Sequence, residues 1–395
     1  MVVRCVLAAL VLVVAAGCAS QGKQSTRKEL ARQKWNAARS GVLYGLAKQQ
    51  YSNGNIDEAR KPLEEALTLN PDDPQLHILM VKLLIEQGNM EQAEKELQTS
   101  RKLAPNNAEV DYLCGVVYQR WQKAETALGY YIDASTKQPS ELAYCMARAE
   151  MLVVLDRPSE ALDLLREKMV HFENSAAIRD AVGQLLVQQG KFREGAAVLQ
   201  QACILGPDEP NIRERLALAL FYAREYREAL PLLERLVQEQ KNSRRAELLL
   251  ALGECQLQTS RVREARDTFQ GASELDPNSV SICLSMAKTA AQLDDLKRAE
   301  GFLRRAMVLE PQSSEVYLML GYIRLRQEKL DEAVVAFRKA SLLDGDDPVS
   351  LCMTGVALEK QGKQAEAVDC YARAMKLKPN DELAGMLIGQ SRVVK

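Results

Sequence analysis

The stretch AELLLALGECQLQTSRVREARDTFQGASELDPNS, residues 246–279, decides the fold. It contains two runs with helical apolar spacing, separated by a short polar break and closed by a proline. Gly253 sits in the first run, and Ala265, Phe269 and Ala272 share one face of the second. A small residue in each run lets two helices approach closely, and the bulky Phe269 fills the space beside the crossing. Pro277 has no amide donor and disfavours a helical residue before it, so the chain must turn there into the next unit.

The same pattern extends in both directions. Ala59, Ala93, Ala127, Ala161, Gly195 and Ala229 recur 34 residues apart, and Ala265, Ala299, Ala333 and Ala367 continue the series after a two-residue slip. A small residue of the first run recurs in phase at Ala47, Gly115, Ala149, Gly183, Ala217, Gly253, Ala287, Gly321 and Gly355, with Val81 the exception. The bulky place is held by Leu63, Leu97, Tyr131, Leu165, Leu199, Leu233, Phe269, Leu303, Phe337 and Tyr371. Closing prolines stand at 71, 105, 139, 207, 277, 311 and 379, whereas Glu173, Lys241 and Gly345 replace them elsewhere. Lys168 and Leu236 depart from a further small position. A fixed period of this length predicts ten stacked helix pairs over residues 40–379.

On these anchors the chain resembles the tetratricopeptide repeat family, residues 252–277 and 320–340 at every anchor of that family's pattern. The resemblance implies an all-α, right-handed α-solenoid whose first helices build a concave protein-binding groove. The expected organisation is a signal peptide over 1–17, a basic linker and leading helix over 18–39, repeats one to six over 40–243, repeats seven to ten over 244–380, and a trailing helix over 381–395. Thr26 and Glu29 are spaced as a capping box for the leading helix. Lys241 to Arg245 absorb the two-residue slip and read as a longer loop or a flexion point.

The apolar fraction of 47% with only 5% aromatics suits many small helix–helix contacts. A formal charge of −1 gives no electrostatic footprint for nucleic acid.

The N-terminus carries a second message. Arg4 is the one charge before Cys18, and the apolar run from Cys5 to Ala16 is too short to span a bilayer. Its end, Ala15-Ala16-Gly17-Cys18, resembles the bacterial lipobox, which implies cleavage before Cys18, lipid on Cys18, and sorting to the periplasmic face of the outer membrane. An ordinary cleaved signal and a retained anchor are the other readings of this run. Several acyl chains on one cysteine anchor stably, at about 0.8 kcal/mol per buried methylene. Lys23, Arg27, Lys28, Arg32, Lys34 and Arg39 then make the adjoining stretch basic, either a solvated face or a contact for anionic headgroups.

The remaining cysteines from Cys114 to Cys370 show no metal-ligand spacing and fall at apolar places, with Cys352 and Cys370 the one pair placed to meet. His77 and His171 lie in different repeats, and no nucleophile elbow or zinc-protease motif occurs. No enzyme, cofactor or metal is expected.

Function then falls to the first-helix face. In the family's geometry it presents Tyr44 and Tyr51, Ile78, Tyr112 and Val116, Met146, Leu218 and Phe221, Leu250 and Leu257, then Leu318, Tyr322 and Leu325. Lys48, Lys82, Gln119, Glu150, Asp180, Glu214, Glu254 and Lys288 are interspersed. Such a mixed face suits a peptide or amphipathic helix with spaced apolar anchors. The expected partners are periplasmic proteins. The expected role is assisting assembly of a pilus, secretin or exopolysaccharide export machine; the alternative is an adaptor recruiting peptidoglycan-remodelling enzymes.

Overall fold

The computed structural model describes residues 2–239, 245–378 and Met386, with side chains from Arg27 onward. The loop expected at 241–245, apart from Arg245, and the trailing helix expected over 381–395, apart from Met386, lie outside the described residues. Among those described, the chain is all-α, with twenty helices and no strand.

Two compact units are present, Met1–Ile178 and Arg179–Lys395. The first holds α1 (Val2–Ser52), α2 (Ile56–Leu69), α3 (Pro74–Glu86), α4 (Met90–Leu103), α5 (Ala108–Arg120), α6 (Ala124–Lys137), α7 (Leu142–Val154) and α8 (Pro158–Met169). The second takes most of α9 (Ala176–Gln188), then α10 (Phe192–Leu205), α11 (Pro210–Tyr222), α12 (Tyr226–Glu239), α13 (Ala246–Gln258), α14 (Val262–Leu275) and α15 (Val280–Gln292). It ends with α16 (Leu296–Leu309), α17 (Ser314–Arg326), α18 (Leu330–Leu343), α19 (Pro348–Lys360) and α20 (Gln364–Leu377). Odd-numbered helices are the first of each pair and even-numbered helices the second, so the structure is an α-solenoid of ten helix pairs. The expected division at 243/244 falls inside the second unit.

Each pair folds back through one kind of turn. The second residue after the first helix has positive φ in all ten repeats: Gly54, Gly88, Gln122, Asp156, Gly190, Arg224, Ser260, Asp294, Glu328 and Gly362. The next amide then donates five residues back across the helix end, as Arg261 N–H does to the Gln256 carbonyl at 2.8 Å and Lys123 N–H to that of Tyr118 at 2.9 Å. This is the Schellman closure, which satisfies carbonyls that the helix leaves open. Several first helices are started by side-chain caps: Asp73 accepts from Gln75 N–H, Asn107 from Glu109, Ser279 from Ile282, and Asp347 from Val349 and Ser350.

The core of each pair is the crossing anticipated from the sequence. A Cβ placed on Gly253 would stand 2.4 Å from the Phe269 ring, and one on Gly355 2.4 Å from Tyr371. Gly115 lies equally close under Tyr131, and Gly321 under Phe337 at 2.5 Å. Where alanine replaces the glycine, at Ala47, Ala149, Ala217 and Ala287, the opposing residue is a leucine instead. All of these side chains are buried.

Two departures have physical causes. The leading helix does not start at Thr26 or stop before Ser40; α1 runs unbroken from Val2 to Ser52. No proline lies in it, and its glycines at 41 and 45 are in helical conformation, so nothing interrupts it. Helix α8 has 12 residues where the other second helices have 14, as in α6. The place of Lys168 is held by buried Ala134, Ala202 and Ala272 in other repeats. A lysine ammonium there has to reach water, and the helix ends one residue later.

Candidate binding face

Successive first helices touch one another within each unit: α1 with α3 and α3 with α5, then α11 with α13, α13 with α15, α15 with α17 and α17 with α19. Together they make a face in each unit, and polar side chains tie each helix to the next. In the first unit Lys82 pairs with Glu109 at 2.6 Å and the Gln119 amide donates to Glu150 at 3.1 Å. In the second, Arg215 forms a two-pronged pair with Asp180, Arg245 pairs with Glu214, and the Ser285 hydroxyl donates to Glu254. Lys288 approaches Glu315 at 3.7 Å, and Arg326 donates to Asp294 and to the Ala291 carbonyl.

The charged residues placed on this face by the sequence are therefore largely engaged with the neighbouring repeat. Opposite charges held in register in this way fix how adjacent first helices align, and contribute modestly to stability where exposed. The rest of the face is apolar and aromatic, with exposed Lys48 over the Tyr44 ring.

The apolar residues do not stand alike. Ile78 and Leu257 are core residues, 2% and 5% exposed, and offer a partner almost no area. Tyr44, Tyr51, Tyr112 and Val116 are half-buried and lean on the core of the first three repeats. Tyr112 is sandwiched between Tyr131 and Tyr144, with ring centroids 5.6 and 5.0 Å away. Met146, Leu218 and Leu250 are half-buried, Leu250 against Phe269 and its neighbours. Phe221 meets Tyr222 and Tyr226 edge-on at 5.2 and 6.2 Å. Leu318 and Leu325 pack beside Phe337, and Tyr322 alone among these candidates is exposed, at 42%. The faces thus offer separate apolar stations, aromatic at Tyr44, Tyr51 and Tyr112 in the first unit and at Phe221 and Tyr322 in the second, rather than one greasy strip.

Further features lie along the second helices and carry no signal in the repeat pattern. Grooves open between consecutive second helices: about 550 Å³ between α6 and α8, and about 570 Å³ between α18 and α20. The first is lined by Glu125, Arg148, Arg157, Glu160, Asp163 and Glu167. Between α4 and α6, Tyr118 stacks on Tyr130 at 5.3 Å and meets Trp121 edge-on, with Lys123 over both Tyr118 and Trp121. The Tyr118 hydroxyl donates to Glu94 at 2.8 Å, and this bond with burial pushes the phenol up to about 12. These outward rings follow no repeat position, which is why the period does not mark them.

His77 is buried and bonded on both sides, Nδ1 to Glu96 and Nε2 to the Pro71 carbonyl, each at 2.7 Å. It pins the closing turn of the first pair to the second helix of the next. None of the cysteines from Cys114 to Cys370 is in a disulfide, Cys352 and Cys370 included. Burial raises the Cys114 and Cys255 thiols to about 12, so neither is poised as a nucleophile. Cys18 lies outside the described side chains. Among the described residues no helix is long and apolar enough to cross a membrane.

Residues 209–393 match a family described as the cilia and flagella-associated protein 70 C-terminal domain. Residues 50–116 and 181–222 match two tetratricopeptide repeat families. Among solved structures, a thermophilic TPR protein from Thermus thermophilus is 20% identical and covers 47% of this chain and 100% of its own, with a TM-score of 0.42. A chain of the APC/C hetero-tetramer Cut9–Hcn1 is matched at 16% identity over 92% of this chain and 86% of that one, TM-score 0.41. PilF of Pseudomonas aeruginosa is 16% identical over 56% of this chain and 97% of its own, TM-score 0.44. No curated protein matches the sequence.

Proposed function

We propose that this chain, which belongs to the tetratricopeptide repeat family, is a non-enzymatic scaffold of the bacterial periplasm, held at the outer membrane through lipid on Cys18. A protein-interaction scaffold is what repeats of this family imply. The single observation that carries the binding mode is the first-helix face, where the polar groups bond to the adjacent repeat and the aromatic stations are left for a partner. Such a surface favours an extended segment or a helix with apolar anchors spaced to reach one repeat after another. The N-terminal run ending Ala15-Ala16-Gly17-Cys18 supports the anchor.

The partner class we assign is a component of an envelope export machine, such as a secretin, pilus or polysaccharide-export subunit. The test is photo-crosslinking in cells from positions 112, 221 and 322 of the lipidated protein, followed by identification of the captured chains. Capture of export components from these positions is the expected result. Capture of murein synthases or hydrolases instead would replace export assembly by cell-wall recruitment. Metabolic labelling with a fatty acid tests the anchor, with label expected on the native chain and lost in Cys18→Ser.

A further inference from the structure

Helix α1 differs from every other first helix on the side opposite its own pair. Val42 and Leu46 hold the places of Leu76 and Met80 in the second repeat and of Val110 and Cys114 in the third, all buried against the preceding repeat. In α1 they are 74% and 45% exposed, and Trp35, two turns earlier, is 56% exposed. At 100° per residue, Trp35, Ala38, Val42 and Gly45 fall on one stripe.

Gly41 and Gly45 add a second observation. Nothing stands within 4 Å of where a Cβ on either would lie. Glycine within a helix weakens it relative to alanine, and no contact among the described residues accounts for these two. Gly129 in α6 and Gly301 in α16 are equally open, whereas Gly115, Gly253, Gly321 and Gly355 each receive an aromatic ring from a helix folded back on them; α1 is the helix that pairs open glycines with an exposed ring. On α1 the open glycine and the exposed ring lie ten residues apart on the same helix, so Trp35 cannot reach its own Gly45, and a second α1 brings one over the other.

We propose that this chain pairs with a second copy of itself through antiparallel α1 helices, Trp35 of each seated over Gly45 of the other. The register that does this also sets Ala38 against Val42, and the two-fold axis repeats every contact. Charge selects the direction. Arg27, Lys28, Arg32 and Lys34 are exposed with only Glu29 to offset them. A parallel pair stacks these cations on each other. The antiparallel pair separates them, carrying Arg27 and Lys28 to the level of the uncharged Ser52 and Asn53 of the second copy.

The full chain in non-ionic detergent, followed by sedimentation velocity across a wide concentration range, gives the readout. A monomer–dimer equilibrium is expected, with the dissociation constant raised at least about tenfold in Trp35→Ala and in Gly45→Val. Circular dichroism is expected to be unchanged in both variants. Oxidation of a mixture of Ala38→Cys and Val42→Cys chains is expected to link unlike chains in preference to like ones. A monomer at every concentration, a dimer indifferent to both variants, or linkage chiefly of Val42→Cys to itself overturns the proposal. So does a blue shift of Trp35 emission that needs phosphatidylglycerol vesicles, which would make the stripe a lipid contact.

Discussion

The sixth and seventh repeats solve one packing problem in opposite ways. In the sixth, Ala217 crosses Leu233; in the seventh, Gly253 crosses Phe269. The small residue loses a methyl where the large one gains a ring, and both members of each pair are buried. Although the second repeat of the chain buries the larger pair Val81 and Leu97, what is held constant between the sixth and seventh is the combined volume at the crossing and not the residue at either position. That is expected of an interior packed to crystal-like density, where overfilling and voids are both costly. The fifth repeat shows the limit of the rule, with Gly183, Gly195 and Leu199 all on the lean side. There a Cβ on Gly195 would meet Val187 Cγ2 at 2.8 Å, so a neighbouring valine occupies the space.

Gly253→Ala strains the seventh crossing most. The added methyl overlaps the Phe269 ring, and a loss of about 2–3 kcal/mol is expected in urea unfolding. Adding Phe269→Leu converts the seventh crossing into the sixth and should recover most of that loss; a double variant as unstable as the single would show that volumes are not exchangeable. The reverse conversion is milder. Leu233→Phe should cost about 1–3 kcal/mol by overpacking, and Ala217→Gly on top should recover all but the roughly 1 kcal/mol that glycine costs in a helix.

Ionisation separates the two aromatic kinds of crossing. Burial raises the Tyr131 phenol above its ordinary value, and its hydroxyl donates to Gln119 at 2.6 Å. Because the folded value lies above the unfolded one, the native state holds a proton that the unfolded state releases above about pH 10. The stability it lends is complete below that pH and is lost as pH rises toward the folded value. Cys114 and Cys255, raised to about 12, act in the same direction from about pH 9 upward. Urea midpoints are therefore expected to fall between about pH 8 and pH 11, and to fall less in Tyr131→Phe; an equal fall would assign the alkaline loss elsewhere.

The smallest effect lies in the turns beside the two crossings. Arg224 and Ser260 both have positive φ, 63° and 66°, where a side chain is strained. Replacing either by glycine should stabilise by about 0.5–1 kcal/mol. Gain at one site and not the other would mean that the side chain of the second has a compensating contact.

The solenoid was legible because its determinants are local and repeated: a small residue, a bulky one and a proline, each in phase. Even the shortened α8 had its sign in Lys168. The binding face was legible only as a set of positions. Ile78 shares its place in the repeat with half-buried Tyr112, and Leu257 shares its place with half-buried Phe221, yet Ile78 and Leu257 are core residues, because a first-helix side chain serves two neighbours and only packing decides which one takes it. The polar ties, such as Arg215 to Asp180, join residues a full repeat apart and carry no signature within either repeat. The left-handed turn residues were hidden for a related reason. Only Gly54, Gly88, Gly190 and Gly362 announce it, and the other six are recognised only by their place in the period.

The uniform turn has a consequence for how such a chain can change. From the small residue of the first helix to that of the second there are twelve positions in every unit, from Ala47–Ala59 to Gly355–Ala367. The one change in length falls between units. A deletion or insertion inside a pair would rotate one helix off its partner, whereas one at a link meets no such lock. The gene can therefore be lengthened or shortened by copying or dropping whole modules, cut at the links, with each surviving module already carrying its own complete fold-back.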